Sequence, residues 1–147
     1  MRDFQLPGRS PVRTTGAMAA TSHPLSTQAA VEMLRAGGNA VDAAVCASAV
    51  QAVVEPQSTG IGGDCFVLYC PGGLDEVIAL NGSGRAPAAA SIDRFRSMGM
   101  AEVPTHGPHS VSIPGAIDAW DRLIRDRGRK TLADVLSFAK DNPGKVS

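Results

Sequence analysis

Cysteine is scarce in this sequence. Only Cys46, Cys65 and Cys70 occur among the 147 residues, and their spacing matches neither a disulfide framework nor a metal-binding motif. Cys65 and Cys70 are separated by an odd number of positions, so on a strand they would point to opposite faces. We therefore expect buried thiols that hold no metal, in a reducing compartment.

Long apolar runs are also missing. The longest, Ala40–Val54, is interrupted by Asp42, Ser48 and Gln51 and is too short to span a bilayer. The N-terminus begins with polar residues and lacks the apolar segment of a secretory signal peptide. The sequence thus predicts no membrane partner and a cytoplasmic location, or a periplasmic or secreted location if a leader is missing.

Neither sign of charge is in excess. The 14 Lys and Arg residues balance 14 Asp and Glu residues, so the composition predicts no nucleic-acid partner. Hydrophobic residues make up 44% and charged residues 19%, which is typical of a soluble globular domain rather than a disordered chain. A chain of this length can bury a core.

Several familiar catalytic signatures are absent. The glycines at residues 60–63 do not form a P-loop, and they follow a predicted helix instead of a strand. They favour equally a tight packing turn and a turn whose N–H groups approach an anionic substrate. There is no Gly-x-Ser-x-Gly elbow and no evident nucleophile beside a base. His106 and His109 lack a third metal ligand.

Two consecutive helices are predicted in the first part of the chain. Ser26 and Thr27 are candidate N-caps for an amphipathic helix that runs to Ala36 and stops at two glycines. Asn39 can cap the next helix, Ala40–Val54, which is apolar on nearly every side and should be buried between layers. Asp42 lies in its first turn, where the helix dipole favours a structural acid.

Strands and further helices are predicted around this pair. Residues 17–21 could form a short buried strand, residues 65–70 and 76–80 a hairpin, and residues 110–113 another short strand. Later helices are expected over residues 91–98, 116–127 and 131–139, the last opened by a capping box of Thr131 and Asp134. This mixture predicts an α+β fold with helices packed on a mainly antiparallel sheet.

Arg85 is the most informative charge. It lies in the Gly- and Ser-rich loop over residues 81–87, where a guanidinium can bind a carboxylate through two hydrogen bonds. A solvated loop arginine or a structural ion pair is the alternative.

Seven blocks of sequence resemble, in order, the opening of a γ-glutamyltransferase. The resemblance covers roughly residues 14–140. The block Gly-Gly-Asn-Ala-Val-Asp-Ala-Ala is the most specific, and Trp120 fits the same pattern. The blocks are residues 22–25 (SHPL), 37–44 (GGNAVDAA), 54–56 (VEP), 59–63 (TGIGG), 85–88 (RAPA), 111–115 (VSIPG) and 131–136 (TLADVL).

The resemblance implies the N-terminal part of a large subunit in an N-terminal-nucleophile hydrolase, an αββα sandwich. Residues 1–15 would be an irregular arm and residues 16–147 a partial large-subunit domain. Such enzymes cut their own precursor, and the new N-terminal Thr of the small subunit attacks a γ-glutamyl amide. That Thr would lie beyond this chain, so the implied partners are the missing small subunit and a small-molecule γ-glutamyl or related amide.

The same resemblance implies no metal, no cofactor and no catalytic residue within the chain itself. A fragment of this kind is expected to be inactive alone. The alternatives are an amidohydrolase or acylase with a non-glutamyl substrate, and a non-catalytic remnant module.

Two departures from the family pattern bear on substrate choice. Glutamyl-specific members carry Arg-Glu-x-Ala-Pro, whereas here Ser83 stands at the Arg position and Arg85 comes two residues later. Asp64 and Cys65 replace two family glycines. Both changes resemble the γ-glutamyltransferase-like branch, which includes amide hydrolases of other small acids. We predict Arg85 and Ser83 as substrate-binding residues, and a structural loop near the pocket formed by Gly60, Gly62, Gly63 and Asp64.

Overall fold

The computed structural model describes residues 11–73 and 75–141, over which helices pack on one another and one short hairpin packs against them. Its elements in chain order are α1 (Pro24–Arg35), α2 (Ala40–Val54), β1 (Phe66–Tyr69), β2 (Ile78–Asn81), α3 (Ile92–Ser97), α4 (Ala116–Arg127) and α5 (Leu132–Asp141). Short 3-10 turns occupy Pro71–Gly73 and Pro108–Ser110. The predicted α+β class is confirmed. Of the predicted arm, residues 1–10 lie outside the described residues.

Helix α1 begins three to four residues earlier than predicted. Its N-cap is His23, whose Nδ1 accepts a hydrogen bond from the N–H of Leu25 at 3.2 Å. Pro24 occupies the first turn, where its missing N–H is not needed and its fixed φ suits the helix. The prediction of Ser26 or Thr27 as the cap was wrong, because Pro24 starts the helix and the side chain of the preceding His23 caps it.

Helix α2 has the predicted bounds and the predicted cap. The Oδ1 of Asn39 accepts hydrogen bonds from the N–H groups of Val41 and Asp42, at 2.9 and 3.1 Å. In return, Asp42 Oδ2 accepts from the Asn39 N–H at 2.7 Å, which completes a capping box.

The hydrophobic core forms where α2 meets α1, α4 and α5. The side chains of Cys46, Val50 and Val135 are fully buried there, beside Met33 and Trp120. The prediction of a buried thiol is confirmed for Cys46. Burial, with a smaller contribution from the charge of Glu32, raises the pKa of that thiol to about 11. Cys65 is only half-buried and Cys70 is exposed, so the prediction was wrong for Cys70.

The predicted hairpin is present as β1 paired antiparallel with β2. Phe66 lies opposite Asn81 and Tyr69 opposite Ile78. The connection includes Gly72 in the left-handed region, with φ of 65°, which glycine adopts without strain.

Two other predicted strands do not form. Residues 17–21 find no ladder partner among the described residues, and their small side chains line a groove against α1 and α2 instead. Residues 110–113 begin inside a 3-10 turn, and Ile113 donates to the carbonyl of Arg85 in a single irregular contact. β-Branched residues such as Val111 and Ile113 raise strand propensity, but a strand also requires a neighbour in register.

The three later helices agree with the sequence signals. Ser91 caps α3 by accepting from the Arg94 N–H at 3.2 Å. Thr131 and Asp134 form the predicted capping box before α5, with both backbone N–H bonds at 3.1 Å. Hydrogen bonds from Thr131 lower the pKa of the Asp134 carboxyl. Over residues 11–73 and 75–141, no helix is long and apolar enough to cross a membrane.

Asp42 links the start of α2 to the connection between α4 and α5. Its fully buried carboxylate accepts from the Arg129 N–H at 3.2 and 3.0 Å and from the Lys130 N–H at 3.2 Å. A Cβ on Gly128 would lie 2.7 Å from Asp42 Oδ1, so only glycine allows this approach. These contacts confirm the structural role predicted for Asp42.

Replacing Asp42 by Ala should therefore destabilise the fold. The change removes the acceptor of three backbone N–H groups, and we expect the free energy of unfolding to fall by about 3 kcal/mol or more. Urea unfolding followed by circular dichroism measures this loss. Asp118→Ala removes only an exposed ion pair with Arg122 and should cost less than about 1 kcal/mol. Similar losses for the two variants would contradict the role of Asp42.

Candidate functional site

Three loop segments meet at the open end of the hairpin. They are residues 63–65 before β1, residues 82–85 after β2 and residues 112–116 before α4, and we call their meeting point the three-loop crossing. Cys65 and Gly82 exchange backbone hydrogen bonds of 3.3 and 2.7 Å, which extends the hairpin ladder. The Gly63 carbonyl accepts from the N–H groups of Gly115 and Ala116, at 3.1 and 3.0 Å.

Glycines make this close approach possible. A Cβ on Gly84 would lie 1.3 Å from the Ile113 carbonyl oxygen, and a Cβ on Gly115 would lie 2.3 Å from the Gly82 carbonyl oxygen. A Cβ on Gly82 would lie 2.5 Å from the Cβ of Ala119. Backbone atoms cannot move away cheaply, so no larger residue fits without rearrangement of the crossing.

Asp64 joins two of the three segments through its side chain. Its Oδ1 accepts hydrogen bonds from the Gly84 N–H at 3.0 Å and from the Ser112 hydroxyl at 3.2 Å. Asp64 is exposed, so these bonds compete with water and their strength depends on the backbone contacts around them.

The two predicted substrate-binding residues lie on either side of Gly84. Ser83 is exposed, and its hydroxyl donates to Asn81 Oδ1 at 2.7 Å, beside the bond from its own N–H at 2.9 Å. Arg85 is also exposed; its carbonyl accepts from the Ile113 N–H at 3.0 Å. Within the described part of the chain, its guanidinium forms no ion pair or hydrogen bond.

The four residues of the predicted structural loop separate into two groups. Gly63 and Asp64 enter the crossing, but ideal Cβ atoms on Gly60 and Gly62 meet nothing within 4 Å. Among the described residues, these two glycines therefore do not bring the backbone close to another segment. The crowded glycines are Gly82, Gly84 and Gly115. Their signals in the sequence were Asn-Gly-Ser-Gly and the Pro-Gly before α4, which indicate turns without showing that the turns meet.

An open apolar groove lies beside the crossing. It has a volume of about 280 Å³ and runs between α2, β1 and α4, past Ala44, Ser48, Cys65 and Trp120. Burial raises the pKa of the Cys65 thiol, and a hydrogen bond with Trp120 opposes that effect only in part. A thiol with a raised pKa is a poor nucleophile at neutral pH, so Cys65 does not provide an activated nucleophile.

The histidines have local roles in the structure. His23 caps α1, and the ring of His109 packs edge-on against Phe95 with 5.6 Å between centroids. Over residues 11–73 and 75–141, no group of three or more His, Cys, Asp or Glu side chains is arranged to hold a metal ion.

The crossing should not tolerate a side chain at Gly84. Gly84→Ala places a methyl group 1.3 Å from the Ile113 carbonyl oxygen, and we expect it to lower the free energy of unfolding by about 2 kcal/mol. Gly62→Ala is the matched control, because its methyl group meets nothing within 4 Å; its effect should stay within about 0.5 kcal/mol. Urea unfolding of both variants tests this, and equal effects would show that the close approach is not required.

Comparison with known proteins relates this arrangement to one family. The family model described as gamma-glutamyltranspeptidase matches residues 26–142. The chain is 41% identical over 128 residues to the glutathione hydrolase-like YwrD proenzyme of Bacillus subtilis, covering 86% of this chain and 24% of that protein. It is 36% identical over 138 residues to the oxamate amidohydrolase proenzyme of Klebsiella pneumoniae, covering 87% of this chain and 26% of that protein.

The fold agrees with this match. The crystal structure of the gamma-glutamyltranspeptidase of Helicobacter pylori superposes with a TM-score of 0.79 at 28% identity, over 88% of this chain and 38% of that chain. The chain spans about a quarter of the length of the curated relatives above. The family model matches most of the chain, the relatives have glutathione hydrolase-like and amidohydrolase names, and the fold is shared. The chain therefore belongs to the gamma-glutamyltranspeptidase family of N-terminal-nucleophile hydrolases.

Proposed function

We propose that this chain forms the N-terminal part of the large subunit of an enzyme that hydrolyses or transfers the acyl group of a γ-glutamyl or related small-acid amide. The observation that carries the proposal is Arg85, an exposed guanidinium without a partner among the described residues, on a loop held by the three-loop crossing. Residues 16–147 would form this partial domain.

Arg85 is suited to bind a substrate carboxylate. Its guanidinium offers planar, paired donors that match the two oxygens of a carboxylate. Gly84 and the Arg85 carbonyl are both held by the crossing, so the backbone that carries this side chain is already ordered before substrate arrives. Preorganisation lowers the entropic cost of binding. Ser83 would line the same pocket from the other side of Gly84.

Two candidate substrate classes follow from the same site. The family membership favours a γ-glutamyl amide. The displaced position of Arg85, together with Asp64 in place of a family glycine, favours an amide of a different small acid, in line with a relative named oxamate amidohydrolase. A carboxylate is common to both classes, so Arg85 would serve either one.

The nucleophile would come from a small subunit. Among residues 11–73 and 75–141, the raised pKa values of Cys46 and Cys65 make these two thiols poor nucleophiles at neutral pH. The outward face of β1 exposes 68% of Phe66 and 79% of Leu68, an apolar surface that a further subunit would cover. Both named relatives above are proenzymes, which is consistent with a partner made from the same precursor. A cytoplasmic location stays a prediction.

The 147-residue chain alone should lack acyl-transfer activity. Incubating the purified chain with a γ-glutamyl anilide should release no anilide above the uncatalysed rate, because in our proposal the nucleophile belongs to the small subunit. The full-length protein that contains these residues is the positive control. Product release by the isolated chain would overturn the assignment of the nucleophile to another subunit.

Arg85→Ala should weaken substrate binding in the full-length enzyme. We expect KM to rise about tenfold or more, with a smaller change in kcat, because the substrate carboxylate loses its charged partner in both ground and transition states. Steady-state kinetics with a γ-glutamyl anilide and with oxamate measure the effect for both substrate classes. Arg96→Ala, on exposed α3, is the matched control and should leave KM unchanged. An unchanged KM for Arg85→Ala with both substrates would reject the proposed site.

A further inference from the structure

We infer that Asp64 is a positioning residue: it holds the loop that carries Arg85 in the geometry in which the guanidinium binds substrate. The inference rests on the proposed function, since it assigns Asp64 a role in the same carboxylate site. Asp64 itself is not assigned a contact with substrate.

The hydrogen bonds of Asp64 flank the one bond that fixes the backbone of Arg85. The Arg85 carbonyl is held by the Ile113 N–H at 3.0 Å. Gly84 immediately precedes Arg85 and Ser112 immediately precedes Ile113, and Asp64 Oδ1 accepts from both, at 3.0 and 3.2 Å. Asp64 Oδ1 is therefore bonded both to the residue that precedes the acceptor Arg85 and to the residue that precedes the donor Ile113.

The backbone contacts leave the Gly84 N–H of this loop without a backbone acceptor, and Asp64 accepts its hydrogen bond. On one side the loop is fixed by the Cys65 and Gly82 pair, and on the other by the Arg85 and Ile113 bond. The Gly84 N–H lies between these two ties, and its acceptor is the Asp64 side chain. Without that acceptor, the peptide group between Ser83 and Gly84 could rotate, and the backbone that carries Arg85 would lose one of the bonds that fix its position.

Geometry and charge can be separated by substitution. Asp64→Asn keeps an Oδ1 acceptor for the Gly84 N–H and the Ser112 hydroxyl but removes the negative charge. Asp64→Ala removes both. A positioning role therefore predicts that Asn substitutes well and Ala does not, whereas a direct electrostatic role predicts that both fail.

The experiment uses the full-length enzyme and the substrate for which Arg85→Ala raises KM. We expect Asp64→Ala to raise KM about fivefold to tenfold with kcat changed less than about threefold, and Asp64→Asn to stay within about twofold of the parent enzyme. Ser112→Ala removes one of the two donors to Asp64, so its KM should lie between the KM values of Asp64→Asn and Asp64→Ala. The double variant Asp64→Ala with Arg85→Ala should bind no worse than Arg85→Ala alone, because a positioning residue acts only through Arg85.

Amide hydrogen exchange provides a readout that does not depend on activity. The Gly84 amide should exchange faster in Asp64→Ala than in Asp64→Asn. The melting temperature of the protein should be the same for both variants. Equal KM values for the Ala variant and the parent would overturn the inference, as would equal defects in the Ala and Asn variants or additive effects in the double variant. Failure of Arg85→Ala to change KM would instead remove the proposed carboxylate site itself.

Discussion

The Asp42 carboxylate is the interaction on which the arrangement of helices depends. It is fully buried and receives backbone N–H groups from Asn39, Arg129 and Lys130, so a single side chain caps α2 and anchors the link between α4 and α5. Water cannot replace these bonds without opening the core, because α2 contacts every other helix that contributes to it. The buried charge is tolerated because several donors compensate for its lost hydration.

The three-loop crossing uses the same chemistry at the surface. Asp64 also accepts hydrogen bonds from segments distant in sequence, but it is exposed. The close packing at the crossing is provided by glycines and not by this carboxylate. We expect removal of Asp42 to destabilise the fold and removal of Asp64 to affect only a loop. This difference in burial is why we predict a role in stability for Asp42 and propose a role at the substrate site for Asp64.

In our proposal, the chain provides part of a substrate-binding site and not a complete active site. Arg85 supplies positive charge without a partner in the described part of the chain, Ser83 supplies a hydroxyl, and burial raises the pKa values of the Cys46 and Cys65 thiols. This division agrees with membership of a family whose relatives here are named as proenzymes. In the function that we propose, these residues bind and orient the substrate, and another subunit supplies the group that breaks the amide bond.

Local signals in the sequence were sufficient for α2 and its Asn39 cap, for the hairpin, for the capping box of Thr131 and Asp134, and for the family. Each of these depends on neighbours within a few residues or on an ordered set of short blocks. The sequence did not show that residues 17–21 lack a strand partner within the described part of the chain, that Asp42 reaches residues 129 and 130, or that Gly84 lies against Ile113. Those features depend on which distant segments meet, and a glycine or aspartate has the same local pattern whether its partner is water or another loop. Only the tertiary structure decides that.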